Sequence, residues 1–408
     1  MFKLNINNAA ERGKMQNKQK LKIGIYSAAI LMMGVIGVAG SLSTIGANFP
    51  DLNQTMITSL ISIPCLIIIP VTLITGKLME SVAKKVLLII GILAFLFGGI
   101  IPGLMTDFTM ILIMRGILGI GIGIIQVTCS ALVAENFEGA EREKVQGNMT
   151  SAQMLGCGAM VFIGGWLGSI AWNIGFYVHF IGIISLMGVI ALVPFKKPEK
   201  SVVSKNSEKV KITTQAWGWI GLMFIFFIGG QIYSNSLSFL INDYQLGTAA
   251  TAGLGLAFFA FGGFVMGMLF GKLANTAKSL TFAIGLLLLS GSYLLVAFAG
   301  SMTMIYAGSL ICGIAFSICM PALFIGAASS VEPLAVGMVV AIATCSLNLA
   351  MFLSPYVVNP IAAMLGQGVN NNQMAFIFGA ALIGAMGIIA LIWGFLKSRR
   401  EIPEIEMK

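Results

Sequence analysis

Charge is what this sequence has least of. Only 10% of its 408 residues are Asp, Glu, Lys or Arg, against about a quarter in soluble domains, so an ordinary water-soluble fold is excluded. Histidine occurs once, at His179, and the six cysteines (Cys65, Cys129, Cys157, Cys312, Cys319, Cys345) fall inside apolar runs without paired spacing. Neither a disulfide framework nor a metal site is expected, and the cysteines read as packing residues. No Asp or Glu stands in the middle of an apolar run; Asp51, Asp107 and Asp243 lie at one set of run ends and Glu135 at the other. One histidine and no paired intramembrane carboxylates leave little for acid–base or metal catalysis, so neither an enzyme nor a cofactor is expected. No cleavable leader is expected either. The first apolar run, Ile23 to Phe49, is too long for a signal core and has no small-residue cleavage site behind it.

Hydrophobic residues make up 58% of the chain, in unbroken runs of twenty or more such as Val86 to Met105. Each run can cross a bilayer core of roughly 30 Å as a helix, whereas a membrane barrel shows alternating segments of about ten residues. The 49 glycines suit close helix packing in lipid. Twelve runs are expected to span, at about 23–49, 55–78, 86–106, 108–134, 147–170, 174–194, 216–241, 249–273, 279–300, 302–328, 334–360 and 374–396. The fold class is an all-α polytopic membrane protein.

Lys and Arg stay on the cytoplasmic side of a membrane, so their placement sets orientation. The 24 basic residues fall in the N-terminal tail, in alternate turns (Lys77 to Lys85, Arg142 and Lys144, Lys196 to Lys211, Lys272 and Lys278) and in the C-terminal tail, except for Arg115 inside the fourth run. The opposite turns carry Asp51, Asp107 and Asp243 and no Lys or Arg. Both termini are therefore expected in the cytoplasm of a cell whose plasma membrane the chain spans. The net charge of +9 reports this orientation and not nucleic-acid binding.

"GKLMESVAKK" at 76–85 has a counterpart 195 residues later, "GKLANTAKS" from Gly271. Between them, Phe195 to Gln215 holds six lysines and little apolar content. The chain thus divides into a tail (1–22), a six-helix half (23–194), a cytoplasmic linker (195–215), a second six-helix half (216–396) and a tail (397–408). Parallel repeats of this kind enclose a site near the midplane and alternate access by rocking against each other.

On these features the sequence resembles the major facilitator superfamily over essentially its whole length. The family's loop between helices two and three reads Gly-x-Leu-x-acid-x-x-Gly-basic-basic; here Gly76, Leu78, Glu80, Lys84 and Lys85 match, and Ala83 replaces the second Gly. The fourth-helix pattern of Arg followed by Gly at four-residue steps matches Arg115, Gly119 and Gly123. The loops are similar to the drug–proton antiporter branch, but Met160-Val161 stands where that branch carries Gly-Pro in helix five. The resemblance implies a secondary transporter for a small-molecule substrate, embedded in a lipid bilayer, with protons as a possible coupling ion. It also implies that Glu80 meets the start of helix eleven, near Pro333, as a conformational latch; pairing with Lys84, Lys85 or Arg142, or a plain solvated turn, is the alternative.

Strongly polar side chains inside spans are costly and face a cavity or a partner. The mid-run amides are Asn48, Gln126, Gln153, Gln231, Asn235 and Asn348, all in runs one, four, five, seven and eleven. Together with Arg115 they are the expected substrate contacts, bonding between neighbouring helices being the alternative. Arg115 and Gln126 are three turns apart on one face, about 16 Å along the axis. A mid-span Arg cannot shed its proton and needs an anion, carbonyls or water. Two functions follow: proton-driven efflux of a small organic solute, and uptake of an organic anion bound through Arg115. Without a mid-span carboxylate, proton coupling would fall to an end-of-span Asp or to His179, for which a structural role is expected. The cluster "GILGIGIG" has no preceding strand and is helix packing, not a dinucleotide loop.

Overall fold

Backbone amides have no water to bond in lipid, so long apolar runs become helices. The computed structural model describes residues 2–196, 212–277, 280–332, 335–366 and 370–401, and among these it is almost wholly helical, with no strand. Eleven helices are long and apolar enough to cross a membrane: α1 Gln16–Asn48, α2 Gln54–Leu78, α3 Lys84–Leu104, α4 Phe108–Asn136, α5 Gly139–Ile170, α6 Ile174–Leu192, α7 Thr214–Asp243, α8 Ala249–Ala274, α10 Met302–Ala328, α11 Val336–Leu365 and α12 Asn371–Leu396. A shorter apolar helix, α9 Thr281–Ala297, completes the expected twelve.

Helix starts follow from caps. Asn53, Asp107, Thr213 and Ser301 each accept the backbone N–H three residues on, satisfying a donor that the first turn leaves free. Several boundaries differ from the expected ones. α5 starts at Gly139 and not at 147, so Arg142 and Lys144 ride on a helix and not in a turn. α11 continues to Leu365, through Pro355 and Pro360. The expected N-terminal tail is helical back to Phe2 and runs directly into α1. Residues 197–211 of the linker, Lys278, Pro333 and the end of the C-terminal tail, 402–408, lie outside the described residues.

The turns holding Asp51, Asp107 and Asp243 define one end of the bundle, here the acidic end; those near Lys77–Lys85, Arg142 and Lys272 define the basic end. The first six helices meet the last six through α2 on α11, α5 on α8, and α1 on α7 and α8. Their hydrogen bonds to each other gather at the acidic end. Ser238 donates to the Gly40 carbonyl (2.8 Å) and accepts from the Ser43 N–H (3.2 Å) and hydroxyl (2.8 Å). Gln54 donates to Asn372 (2.6 Å), which donates to Asp243 (2.7 Å), and Asn359 donates to Thr55 (3.1 Å). Three glycines bring the backbones together here. A Cβ on Gly40 would lie 2.9 Å from the Gly253 Cα, and one on Gly165 2.8 Å from the same atom. A surface hollow of about 540 Å³ at the basic end is lined by Gly139, Arg142, Glu143 and Gln146, all on α5. Among the described residues, the hydrogen bonds between the halves all lie toward the acidic end and none at the basic end.

Candidate functional site

The two helices at the centre of the seam, α1 and α7, are both irregular. α1 tightens to a three-residue turn between Ile30 and Ser41, a stretch containing Gly34, Gly37 and Gly40. α7 breaks at Gln231, directly after Gly229 and Gly230. Broken turns free carbonyls that neighbouring helices must satisfy. In the second half Tyr293 on α9 does so, its hydroxyl reaching the Gly229 (3.1 Å) and Gly230 (3.0 Å) carbonyls. Ser354 on α11 donates to Ile228 (2.8 Å).

In the first half the same positions, 195 residues earlier, are Gly34 and Val35. Arg115 on α4 serves the second of these: Nη2 donates to the Val35 carbonyl (2.5 Å), Nε to the Leu60 carbonyl of α2 (2.7 Å), and Nη1 lies 3.3 Å from Nε2 of His179 on α6. His179 Nδ1 is 2.7 Å from the Phe176 carbonyl, which fixes the hydrogen on Nδ1 and leaves Nε2 to accept from Arg115. Both side chains are fully buried, at 0% exposure. The imidazole has room only because Gly99 lacks a side chain: a Cβ there would lie 2.3 Å from the ring.

The expected site residues separate into groups. Arg115 ties α4 to α1, α2 and α6 within its own half. Gln231 and Asn235 share one face of α7 and are 6% and 2% exposed, yet Nε2 of the first and both amide atoms of the second have no partner. Buried polar atoms are almost always paired, so unpaired ones mark a place prepared for something else. Asn348, also buried, donates to the Thr344 carbonyl one turn back (2.9 Å). Gln153 is half-buried, and its amide nitrogen meets the Met32 sulfur at 2.8 Å, a weak acceptor. Gln126 is half-buried. Asn48 is not mid-span: it is the last residue of α1 and exposed, because the backbone leaves helical geometry at Phe49.

Of the loop residues, Gly76, Leu78 and Glu80 are exposed. Glu80 has no ion pair among the described residues, while Lys84 pairs with Glu135 (2.9 Å) and Lys85 donates to the Ile190 carbonyl (2.7 Å). Five participants at the acidic end are not among the expected residues: Ser43, Gln54, Thr55, Asn359 and Asn372; Ser238 lies on the polar stripe that Gln231 and Asn235 begin on α7. The serine pair had a legible signal. Ser41-Leu42-Ser43 recurs as Ser236-Leu237-Ser238, at the spacing of the two GKL turns. Beside Asp243, burial first and then that carboxylate push the Tyr244 phenol above its ordinary range, and it donates to the Ala297 carbonyl (2.6 Å).

Twelve apolar helices in two sets of six, meeting at one end around paired central helices, define a polytopic membrane transporter. The sequence profile described as Major Facilitator Superfamily matches residues 23–355, and the chain belongs to that family. It is 24% identical over 226 residues to the Multidrug transporter protein MdtP of Bacillus subtilis (strain 168), covering 54% of this chain and 41% of that one. It is 28% identical over 220 residues to the Multidrug efflux pump SdrM of Staphylococcus aureus (strain N315), covering 52% of this chain and 49% of that one. The matches thus span less than half the length of these relatives. Among solved structures, a POT family transporter in complex with 5-aminolevulinic acid superposes with a TM-score of 0.73 at 13% identity, covering 92% of this chain and 96% of that one. A bacterial homologue of the human lysosomal transporter Spinster, in an inward-facing and unoccupied conformation, superposes with a TM-score of 0.67 at 15% identity, covering 93% and 97%. At these identities the structures speak for the fold alone.

Proposed function

We propose that the chain is a proton-driven efflux carrier for small organic molecules, set in the plasma membrane with both termini and the basic end in the cytoplasm. The observation that carries this reading is the one-ended seam: the hydrogen bonds between the halves lie toward the acidic end, with none at the basic end among the described residues, as one state of a rocking carrier would have. The placement of the basic turns supports the orientation, and the multidrug relatives support efflux.

Substrate contacts are assigned to Gln126, Gln153, Gln231, Asn235 and Asn348. Their carboxamides donate and accept without net charge, which suits uncharged or weakly charged amphipathic molecules with hydrogen-bonding groups. Uptake of an organic anion through Arg115 is the weaker reading, because the guanidinium would have to leave two carbonyls and His179 to meet it. Purified protein in liposomes, given an imposed pH gradient and panels of neutral, cationic and anionic amphipathic dyes, tests the proposal. Gradient-driven movement of neutral or cationic dyes supports it; movement of anions alone, lost in Arg115→Gln, overturns it.

A further inference from the structure

The two halves solve one problem by different chemistry. At Gly229 and Gly230 the loosened carbonyls are held by a neutral phenol, that of Tyr293. At the equivalent positions the Val35 carbonyl meets a guanidinium, and the Gly34 carbonyl lies 3.3 Å from the imidazole that this guanidinium bonds, that of the chain's one histidine. A neutral donor suffices for the carbonyls, so the buried cation and imidazole are not explained by helix repair. Burying a charge is expensive where a neutral group would serve.

The imidazole sits in a seat cleared for it. Gly99 of α3 admits the ring, a Cβ on Gly37 of α1 would come within 3.7 Å of Nε2, and the Phe95 ring lies 5.2 Å away, centroid to centroid. Arg115 on α4 is the charged group facing it; α1 and α3 present Gly34, Gly37, Phe95 and Gly99, and the Cys65 thiol of α2 faces Arg115. Nε2 therefore has two neighbours at 3.3 Å, the Arg115 Nη1 and the Gly34 carbonyl of α1.

We propose that His179 is the proton-binding group of this carrier, and that a proton on Nε2 releases Arg115 from α1 and favours opening of the acidic end. The proton takes the Nε2 lone pair, so Nη1 loses its acceptor and two cations face each other at 3.3 Å. Nε2–H then donates to the Gly34 carbonyl in place of accepting from Arg115, and the displaced guanidinium gives up its bond to Val35. The same helix carries Gly40 and Ser43 into the closed seam two turns further on. A tie lost at Val35 is thus felt where the halves meet. The pair sits about 10 Å from the acidic end, judged from Arg115 lying seven residues into α4. Protons would reach it from that side when the seam is open.

This inference rests on the rocking, proton-driven reading above, and the test separates the two. Spin labels are placed at Ala47 and Asn242, exposed positions at the acidic ends of α1 and α7, after the half-buried Cys345 is replaced by Ser. Distances are measured by pulsed electron resonance at pH 8 and pH 5.5, with and without a transported dye. The expected result is a shift toward the longer distance at low pH, at least about tenfold in population, and no such shift in His179→Gln. Because His179 is the chain's one histidine, ¹⁵N-histidine labelling of the unaltered side chain gives a single imidazole signal, expected to change with the same midpoint as the distance. This reading does not depend on the variant folding. A distance that responds to dye but not to pH, or an equal pH response in His179→Gln, overturns the role of His179. A distance that responds to neither overturns the rocking reading with it.

Discussion

The hydroxyls of Ser43 and Ser238 lie 2.8 Å apart and 195 residues apart, the same spacing as the two GKL turns. Equivalent residues of two repeats can touch only on the axis that relates them, so this contact marks the pseudo-two-fold of the bundle. It marks the closed seam as well.

Ser238→Ala removes one donor to Gly40 and two bonds accepted from Ser43. Net hydrogen bonds are worth about 1 kcal/mol each, and the freed Gly40 carbonyl stays near the seam. Maleimide labelling of a cysteine placed at the half-buried Thr44 should rise about five- to tenfold in Ser238→Ala.

Arg115→Gln leaves the Val35 and Leu60 carbonyls without their donors inside the first half. The expected cost is about 2–4 kcal/mol, seen as a lower thermal midpoint in detergent without any substrate. Arg115→Lys should recover only part of the loss, since one ammonium cannot fork between α1 and α2.

Gln231→Leu and Asn235→Leu run the other way. Each removes buried polar atoms that have no partner, so the empty protein should be unchanged or up to about 2 kcal/mol more stable. If these amides await substrate, dye affinity falls roughly 5- to 100-fold in the same variants. Thermal midpoints with and without dye measure both effects at once.

Glu80 has no ion pair in the present conformer among the described residues. If it latches onto the start of α11 when that end closes, Glu80→Gln leaves this conformer intact and raises its population. Labelling of the Thr44 cysteine should then fall below the wild-type level; an unchanged rate removes the latch.

Much of the architecture was legible from residues. Twelve apolar runs and the GKL spacing anticipate twelve helices in two related sets, because lipid leaves apolar chain few options but helix. Helix ends were less legible. Charged residues such as Arg142 and Lys144 extend α5 beyond its apolar part, where water satisfies the side chains and the helix continues regardless. At the site, a polar residue within a run announces that it needs a partner but not which one. Arg115 finds the Val35 carbonyl on the tightened turn of α1 and the Leu60 carbonyl of α2, and that tightening is a backbone event that apolar periodicity does not encode. The pairing with His179 was hidden for the same reason. It depends on the vacancy at Gly99, and one glycine among 49 carries no mark of what it makes room for. The serine contact was readable in principle, because its tripeptide repeats at the interval of the turns.

The most direct measurement uses that contact. With Ser43 and Ser238 both replaced by cysteine, oxidation should join the halves across the acidic end, since the two side chains already touch there. The account predicts that the cross-linked protein in liposomes carries no dye under a pH gradient, and that reduction restores transport. Undiminished transport by fully cross-linked protein would contradict it, because the acidic end would then never need to open.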